Sequence, residues 1–419
     1  MTTIPLAELD FSTGLTPDNQ NGLLAGDFNR DGKLDLATTP GGAANPGICV
    51  LLGVGDGSFQ PPKCSSALGT SEQDFMLAAD FNADGNLDIA AVSTTSGHAN
   101  VLLGNGDGTF ESAIQLPVPI NPFRGLAAGD FNRDGKLDLV VEQFDSMSGL
   151  VSFSVFLGNG DGTFSGPVVI TPANLLDAFP IAVGDFNGDG KLDLVGTGVI
   201  LLGNGDGTFQ TPQVFGQLSV PGTPFAADVN GDGQLDLIAS DYPIGDVSIY
   251  IGNGDGTFQN PLIFKESSTE TYMAVGDLNA DNHLDLITAD DYSIFAYMLG
   301  NGDGTFQNIV TQPLNTQNVI QGIQLGDFNG DGTMDVAVRS QASPNDLAVL
   351  LQGQFPAASV APNSLTFGPQ APGTSSSPQA ITLKNSGTAT MTITAIGISG
   401  TNAADFAQNN NCGASLTPN

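Results

Sequence analysis

The 419-residue sequence contains no tryptophan, three cysteines, two histidines and only ten Lys or Arg residues against 44 acidic ones. The formal net charge of −34 argues against a nucleic-acid partner, because that binding relies on Lys and Arg to neutralise phosphates. It argues equally against anionic membrane surfaces. No run of 18 or more apolar residues occurs, so the sequence predicts no membrane insertion. Three cysteines make neither a disulfide scaffold nor a zinc site.

Other absences narrow the class further. The N-terminal stretch MTTIPLAELDF has neither a basic nor an apolar segment, so it predicts no signal peptide in this sequence. Glycine is abundant, with 55 residues, but it does not recur at every third position as collagen requires. Hydrophobic residues make up 40% of the chain and recur in short runs, so a folded core is expected despite the high charge.

The acidic residues concentrate in one nine-residue pattern, Asp-x-Asn-x-Asp-x-x-x-Asp, which we call the Asp loop and number 1 to 9. It occurs seven times, about every 50 residues, which indicates a repeat architecture. The copies begin at Asp27, Asp80, Asp130, Asp185, Asp228, Asp277 and Asp327.

A second motif, here called the Gly-Asp-Gly turn, alternates with the Asp loops. It reads GVGDGSF from Gly53 and GNGDGTF from Gly104, Gly158, Gly203, Gly252 and Gly300, whereas the seventh repeat has LQGQFP instead. Each Asp of these turns is expected to shape the turn rather than bind metal, and the following Phe to pack between repeats. Four short apolar runs per repeat, joined by these turns, predict an all-β seven-bladed β-propeller over residues 1–355.

The two ends of the repeat array are expected to meet. The seventh repeat supplies only three strands, and residues 4–12 precede the first Asp loop where a fourth strand would lie. We predict that this segment completes the last blade; the alternative is a frayed N-terminal tail.

The Asp loops predict binding of up to seven Ca²⁺ ions, because Ca²⁺ takes six to eight oxygen ligands in flexible geometry. Glycine at position 6 permits the sharp turn. The alternative is that Asp and Asn only shape hairpin turns. An EF-hand is excluded because position 12 carries no Glu in any copy. The sixth loop has Asn282 at position 6 and is expected to bind most weakly.

The predicted metal ligands are the side chains at positions 1, 3, 5 and 9 and the backbone carbonyl at position 7. Position 1 is Asp27, Asp80, Asp130, Asp185, Asp228, Asp277 and Asp327. Position 3 is Asn29, Asn82, Asn132, Asn187, Asn230, Asn279 and Asn329. Position 5 is Asp31, Asp84, Asp134, Asp189, Asp232, Asp281 and Asp331. Position 7 is Lys33, Asn86, Lys136, Lys191, Gln234, His283 and Thr333. Position 9 is Asp35, Asp88, Asp138, Asp193, Asp236, Asp285 and Asp335.

The combination of GDFNxDGxxDL with LLGNGDGTF resembles the FG-GAP/VCBS repeat family, which is similar to the calcium-binding propeller of integrin α subunits. This resemblance implies a seven-bladed propeller with calcium in hairpin loops on one face. Residues 356–419 resemble part of an abnormal-spindle/Hydin-type immunoglobulin-like domain and predict an incomplete β-sandwich, with strands at 364–368, 379–384 and 391–398. The alternative is a disordered tail.

No catalytic residue stands out, because no nucleophile motif, metalloprotease motif or phosphate loop occurs. His98 and His283 are expected to face solvent, and Arg124, Lys265 and Arg339 to be lone surface charges. The sequence therefore favours a non-enzymatic, extracellular and monomeric interaction or adhesion scaffold with an unknown protein or glycan ligand. The alternatives are a carbohydrate-binding propeller and a polysaccharide-degrading propeller enzyme. Cys49 and Cys64 flank one hairpin and are expected to form a disulfide; the alternative is one buried and one exposed thiol.

Overall fold

A computed structural model describes the chain in part. The described residues are 4, 6–13, 15, 22–39, 47–65, 75–93, 98–118, 123–145, 150–171, 181–196, 198–215, 224–241, 246–265, 271–290, 294–314, 320–340, 346–353, 358–362, 364–371, 373–385, 390–393 and 395–417. Contacts divide the chain into two compact units. The first contains residues 8–351, and the second joins residues 4–7 to residues 352–419.

The repeats form seven four-stranded antiparallel sheets, the blades of a β-propeller. Blade 1 consists of β2 (Leu23–Gly26), β3 (Asp35–Thr38), β4 (Ile48–Leu51) and β5 (Lys63–Ser65). Blade 2 consists of β6 (Phe75–Ala79), β7 (Asp88–Ser93), β8 (His98–Leu102) and β9 (Ile114–Leu116). Blade 3 consists of β10 (Phe123–Gly129), β11 (Asp138–Asp145), β12 (Leu150–Gly158) and β13 (Phe164–Ile170). Blade 4 consists of β14 (Ala182–Gly184), β15 (Asp193–Gly196), β16 (Val199–Leu201) and β17 (Gln213–Val214).

The remaining blades follow the same order. Blade 5 consists of β18 (Phe225–Ala227), β19 (Asp236–Asp241), β20 (Asp246–Tyr250) and β21 (Leu262–Lys265). Blade 6 consists of β22 (Thr271–Gly276), β23 (Asp285–Asp290), β24 (Ile294–Met298) and β25 (Val310–Pro313). Blade 7 consists of β26 (Ile320–Gly326), β27 (Asp335–Ser340), β28 (Leu347–Gln352) and the N-terminal strand β1 (Leu6–Phe11).

The blades share their cores in pairs because the middle strands are apolar on both faces. In β28, LAVLLQ, every residue is buried, and in β4, ICVL, the same holds. One apolar cluster joins Val50 of blade 1 to Ile89 and Leu102 of blade 2. Strands buried on both faces explain why the sequence shows unbroken apolar runs rather than alternation.

The ring closes through β1, which pairs with β28 as the outer strand of blade 7 and confirms the prediction for the N-terminal segment. Beyond β1, the backbone N–H of Thr13 donates to Asp346 Oδ1 at 2.8 Å, and the Thr13 hydroxyl donates to the other oxygen of that carboxylate. On the neighbouring side, Gln324 Nε2 of blade 7 donates to the Leu23 carbonyl of blade 1 at 2.8 Å. Both ends of the repeat array are therefore held to blade 7.

The prediction of Arg339 as a lone surface charge is wrong. Its side chain is only 2% exposed, and its guanidinium crosses from blade 7 to blade 1. There it donates to the Thr38 hydroxyl and to the Gly22 carbonyl. The charge is buried because the cyclic arrangement brings the last blade against the first. The side chains of Arg124 and Lys265, which received the same prediction, lie outside the described residues.

Cys49 and Cys64 form the expected disulfide, which joins β4 to the three-residue outer strand β5 with their Cα atoms 4.0 Å apart. We expect the double variant Cys49→Ser/Cys64→Ser to lose about 3 kcal/mol of unfolding free energy, since the bridge closes a 15-residue loop in the unfolded chain. Urea unfolding with and without dithiothreitol measures this loss. Reduction should destabilise the wild type and the Cys412→Ser control alike and leave the double variant unchanged; a double variant as stable as wild type would contradict it.

Among its described residues, the second unit has four short strands of its own in two two-stranded sheets. β29 (Ala358–Ala361) pairs with β30 (Thr382–Asn385), and β31 (Met391–Thr392) pairs with β32 (Ser415–Leu416). A single 3₁₀ turn covers Ala403–Asp405. The predicted strand at 364–368 is wrong, since these residues adopt no regular structure between Pro362 and Pro369, which lack the N–H that a strand ladder needs. In the part of the chain described, no helix has the length and apolarity to cross a membrane.

Candidate metal centre

Each Asp loop joins the first strand of a blade to the second, so all seven lie at the same end of the propeller. Position 9 is always the first residue of the second strand, as Asp35 is of β3. The first loop is typical in its exposure: Asp27 and Asn29 are half-buried, Asp31 and Lys33 are exposed and Asp35 is buried.

The loop backbone enters the left-handed region twice. Position 6 has a positive φ in every loop, as predicted, including Asn282 with φ 65°. Position 4 does the same, and in four loops it is not glycine. These four residues are Arg30 (φ 59°), Ala83 (φ 57°), Arg133 (φ 63°) and Ala280 (φ 59°). Side chains rarely adopt this conformation, so the loop holds its shape against a local cost.

Four hydrogen bonds from backbone to side chain fix each loop. In the first, the Asp31 N–H donates to Asp27 Oδ1 and Asn29 Oδ1, the Gly32 N–H to Asp27 Oδ2, and the Lys33 N–H to Asp31 Oδ1. The same four bonds recur in all seven loops, at 2.7–3.2 Å. The side chains at positions 1, 3 and 5 are thus brought together on one short loop.

The aspartate at position 9 is fully buried in all seven loops. Its Oδ2 accepts the N–H of position 2 in every loop, at 2.8–2.9 Å. In blades 1–6 its Oδ1 also accepts, at 2.8 Å, the N–H of the first glycine of the Gly-Asp-Gly turn. This carboxylate therefore ties its own loop to the next hairpin of the same blade, a role that sequence reasoning missed.

Burial changes the acidity of these aspartates. Loss of solvation raises the pKa of Asp35, Asp88 and Asp285 to about 6 and raises the pKa of Asp138, Asp193 and Asp236 above the ordinary value. Neighbouring loop carboxylates add to the rise, while the backbone N–H donors oppose it. The anionic form at position 9 is therefore held at a cost that a nearby cation would offset.

The Gly-Asp-Gly turns have a different role. Each Asp shapes its turn as predicted; Asp161 Oδ1, for example, accepts the Thr163 N–H at 3.0 Å and the Thr163 hydroxyl at 2.6 Å. These hydrogen bonds hold the pKa of Asp161 below its usual value. The last glycine of the turn reaches the preceding blade, so that the Gly108 N–H donates to the Phe28 carbonyl at 3.0 Å.

This contact repeats around the ring. Equivalent bonds run from Gly57 to Phe328, Gly207 to Phe131, Gly256 to Phe186 and Gly304 to Val229. The motif phenylalanine packs edge-on against the position-2 phenylalanine of the preceding blade, as in Phe110–Phe28 and Phe164–Phe81, which confirms the predicted packing between repeats. We call this combined contact the inter-blade clip.

The predicted ligands of each loop are not all held together. Positions 1, 3 and 5 share hydrogen bonds within the loop, whereas the position-9 carboxylate accepts N–H groups from position 2 and, in blades 1–6, from the next hairpin. Within the described residues, no three His, Cys, Asp or Glu side chains are grouped so that they alone could hold a metal ion. Calcium also accepts amide and backbone carbonyl oxygens, and a carboxylate oxygen can accept more than one bond. Each loop offers two carboxylates near the surface, one amide oxygen and a carbonyl at position 7, an all-oxygen set whose chemistry fits calcium. The ligand role stays a prediction for all five positions.

Seven similar blades, each with an Asp loop at the same end, define a β-propeller built from repeats. The chain belongs to the FG-GAP-like repeat family. The sequence profile of this family matches residues 27–91, 80–141, 148–196, 196–239, 228–288 and 277–338.

Curated relatives match a shorter part. The chain is 26% identical over 174 residues to human T-cell immunomodulatory protein and 27% identical over 173 residues to the rat protein. Each match covers 41% of this chain and only 28% of the relative. A solved structure, described as BBS1N in complex with ARL6DN and soaked with lead, superposes with a TM-score of 0.53 at 13% identity. It covers 84% of this chain and 98% of that chain, and this likeness shows the fold alone.

Proposed function

We propose that the protein is a calcium-stabilised propeller that acts as a non-enzymatic interaction scaffold. The observation that carries the calcium proposal is the sevenfold recurrence of one loop geometry with the same oxygen-bearing positions. A single Asp or Asn is enough to shape a hairpin turn, whereas these loops each concentrate three aspartates and one asparagine.

Charge supports the same proposal. Three carboxylates in each of seven loops make 21 of the 44 acidic residues, and like charges this close repel one another. The buried aspartate at position 9 adds a desolvation cost to its anionic form. When bound, Ca²⁺ would supply positive charge to each loop. The protein would hold it through positions 1, 3 and 5, the position-7 carbonyl and, as a further ligand, position 9.

Removing calcium is expected to lower the melting temperature by more than about 10 °C. A site held at ten times its Kd contributes about 1.4 kcal/mol to stability, and up to seven sites add together. Differential scanning calorimetry in 10 mM Ca²⁺ and in EDTA measures the difference. Magnesium should restore little of it, because Mg²⁺ demands a tighter octahedral geometry. A melting temperature that is equal in EDTA and in calcium would contradict the proposal.

The scaffold role rests on family membership and on the resemblance to T-cell immunomodulatory proteins over 41% of this chain. We infer a monomer that presents its loops to a protein ligand outside the cytosol, where millimolar calcium suits weak sites and the Cys49–Cys64 disulfide persists. The second unit is proposed to be an immunoglobulin-like module.

Affinity capture from cell-surface extracts, run in calcium and in EDTA, tests the scaffold role. A calcium-dependent protein partner supports it. Calcium-dependent cleavage in a polysaccharide screen would contradict the scaffold role. Selective binding on a glycan array would show that the ligand is a sugar rather than a protein.

A further inference from the structure

In blades 1–6 the side chain at position 7 of the Asp loop lies over the second glycine of the Gly-Asp-Gly turn in the same blade. A Cβ atom added to Gly160 would lie 3.1 Å from Lys136 Cδ, and one added to Gly205 would lie 3.0 Å from Lys191 Cδ. In blade 5, a Cβ on Gly254 would lie 2.2 Å from Gln234 Oε1. The absence of a side chain at this glycine therefore leaves room for the position-7 side chain beside its own loop.

In loops 3 and 4 this placement brings an ammonium group to the carboxylate at position 5. Lys191 Nζ lies 2.9 Å from Asp189 Oδ2, and Lys136 Nζ lies 3.8 Å from Asp134 Oδ2. Both carboxylates belong to the proposed calcium ligands. Lys33, the third lysine at position 7, makes no ion pair among the described residues.

In loops 2, 5 and 6 an uncharged amide group donates a hydrogen bond to the same oxygen, Oδ2 of the position-5 aspartate. The Nδ2 groups of Asn82, Asn230 and Asn279 donate to Oδ2 of the position-5 aspartate at 3.0, 3.0 and 2.9 Å. The position-7 side chains of these three loops are Asn86, Gln234 and His283. Position 5 thus contacts an ammonium group in loops 3 and 4 and an amide group in loops 5 and 6, while in loop 2 the amide contact is joined by the charge of Arg30, which acts on Asp84.

We propose that Lys136 and Lys191 act as internal counter-ions that compete with calcium, so that loops 3 and 4 fill at higher free calcium than loop 5. This inference rests on the proposed calcium binding. Calcium must displace the ammonium from the position-5 carboxylate and then tolerate its charge nearby, whereas an amide group imposes only the loss of one hydrogen bond from an uncharged donor. In loops 3 and 4 the lysine would also offset the charge of the position-5 carboxylate when calcium is low.

Hydrogen–deuterium exchange read by mass spectrometry can follow each loop separately as free calcium rises. Peptides that cover 185–193 and 228–236 report on loops 4 and 5 in the same molecule. Lys191→Gln places in loop 4 the residue that loop 5 already has, and should shift the midpoint of loop 4 to lower free calcium by about threefold. Gln234→Lys should shift loop 5 the opposite way, while the other loops keep their midpoints.

The matched control is Lys384→Gln, which removes the same charge from an exposed site in the second unit and should move no midpoint. The inference is overturned if calcium protects the loops but loop 4 keeps its wild-type midpoint in Lys191→Gln. If calcium protects no loop at any concentration, the proposed calcium binding itself fails. These two results are distinguishable in a single titration.

Discussion

Deletion of residues 6–11 is expected to destabilise the whole propeller by about 4 kcal/mol or more. The deletion removes the outer strand of blade 7, whose backbone hydrogen bonds to β28 are worth about 1 kcal/mol each. It also exposes the edge of β28, in which every residue is buried in the intact protein. An open apolar edge pairs readily with other chains, so the variant should aggregate on heating. Urea unfolding and light scattering measure the two effects.

One further variant and one added peptide separate the effect of losing β1 from other effects of the deletion. Thr13→Val removes the hydroxyl that donates to Asp346 Oδ2 and accepts the Leu15 N–H, keeps the backbone N–H bond to Asp346 Oδ1, and should cost about 1–2 kcal/mol while leaving β1 in place. A synthetic peptide of residues 4–13, added to the deletion variant, should restore part of the lost stability. If the deletion variant unfolds at the wild-type urea concentration, β1 does not close the ring.

Asp88→Ala should cost about 3–5 kcal/mol of unfolding free energy. Asp88 is fully buried and accepts the Phe81 N–H and the Gly104 N–H, both at 2.8 Å. Alanine would leave two buried backbone donors without an acceptor, and each costs about 1–3 kcal/mol. Urea unfolding in calcium and again in EDTA measures the cost. Because the two donors are backbone groups of the protein, most of the loss should persist in EDTA.

The control for Asp88→Ala is Glu111→Ala, which removes an acidic side chain from an exposed position in the same repeat. Its effect should stay within about 0.5 kcal/mol. Asp88→Asn keeps one acceptor oxygen and should fall between the two. A cost for Asp88→Ala that disappears entirely in EDTA would mean that the aspartate acts only as a metal ligand.

The architecture was predictable because the information is local and repeated. Seven copies of the Asp loop set the number of blades, and the missing fourth strand of the last repeat predicted the role of the N-terminal segment. Glycine at position 6 likewise predicted a positive φ. At position 4 the same backbone conformation stayed hidden, because Arg30 and Ala83 carry no signal for it.

The rest depends on contacts between residues far apart in sequence. In the sequence, Arg339 is indistinguishable from a surface charge. Only ring closure brings its guanidinium to the Gly22 carbonyl, 317 residues away in sequence. The burial of the position-9 aspartate depends on the next hairpin, whose N–H group arrives 10–20 residues later. The second unit has short strands, and its sequence lacks the repeated motifs that support the strand predictions in the propeller. The strand predicted at 364–368 is therefore wrong.

The inter-blade clip bears on where the polypeptide could be cut and rejoined. Each Gly-Asp-Gly turn contacts the Asp loop of the blade before its own. New termini between most blades would therefore place a turn and the loop it contacts at opposite ends of the chain. The seventh repeat carries no such turn, so no Gly-Asp-Gly turn of blade 7 contacts blade 6, and the connection between these two blades crosses no inter-blade clip. A circular permutant with new termini there, and with the native strand β1 fused to β28, would keep every clip intact. That connection is also where a cargo domain could be inserted with the least disturbance to the ring.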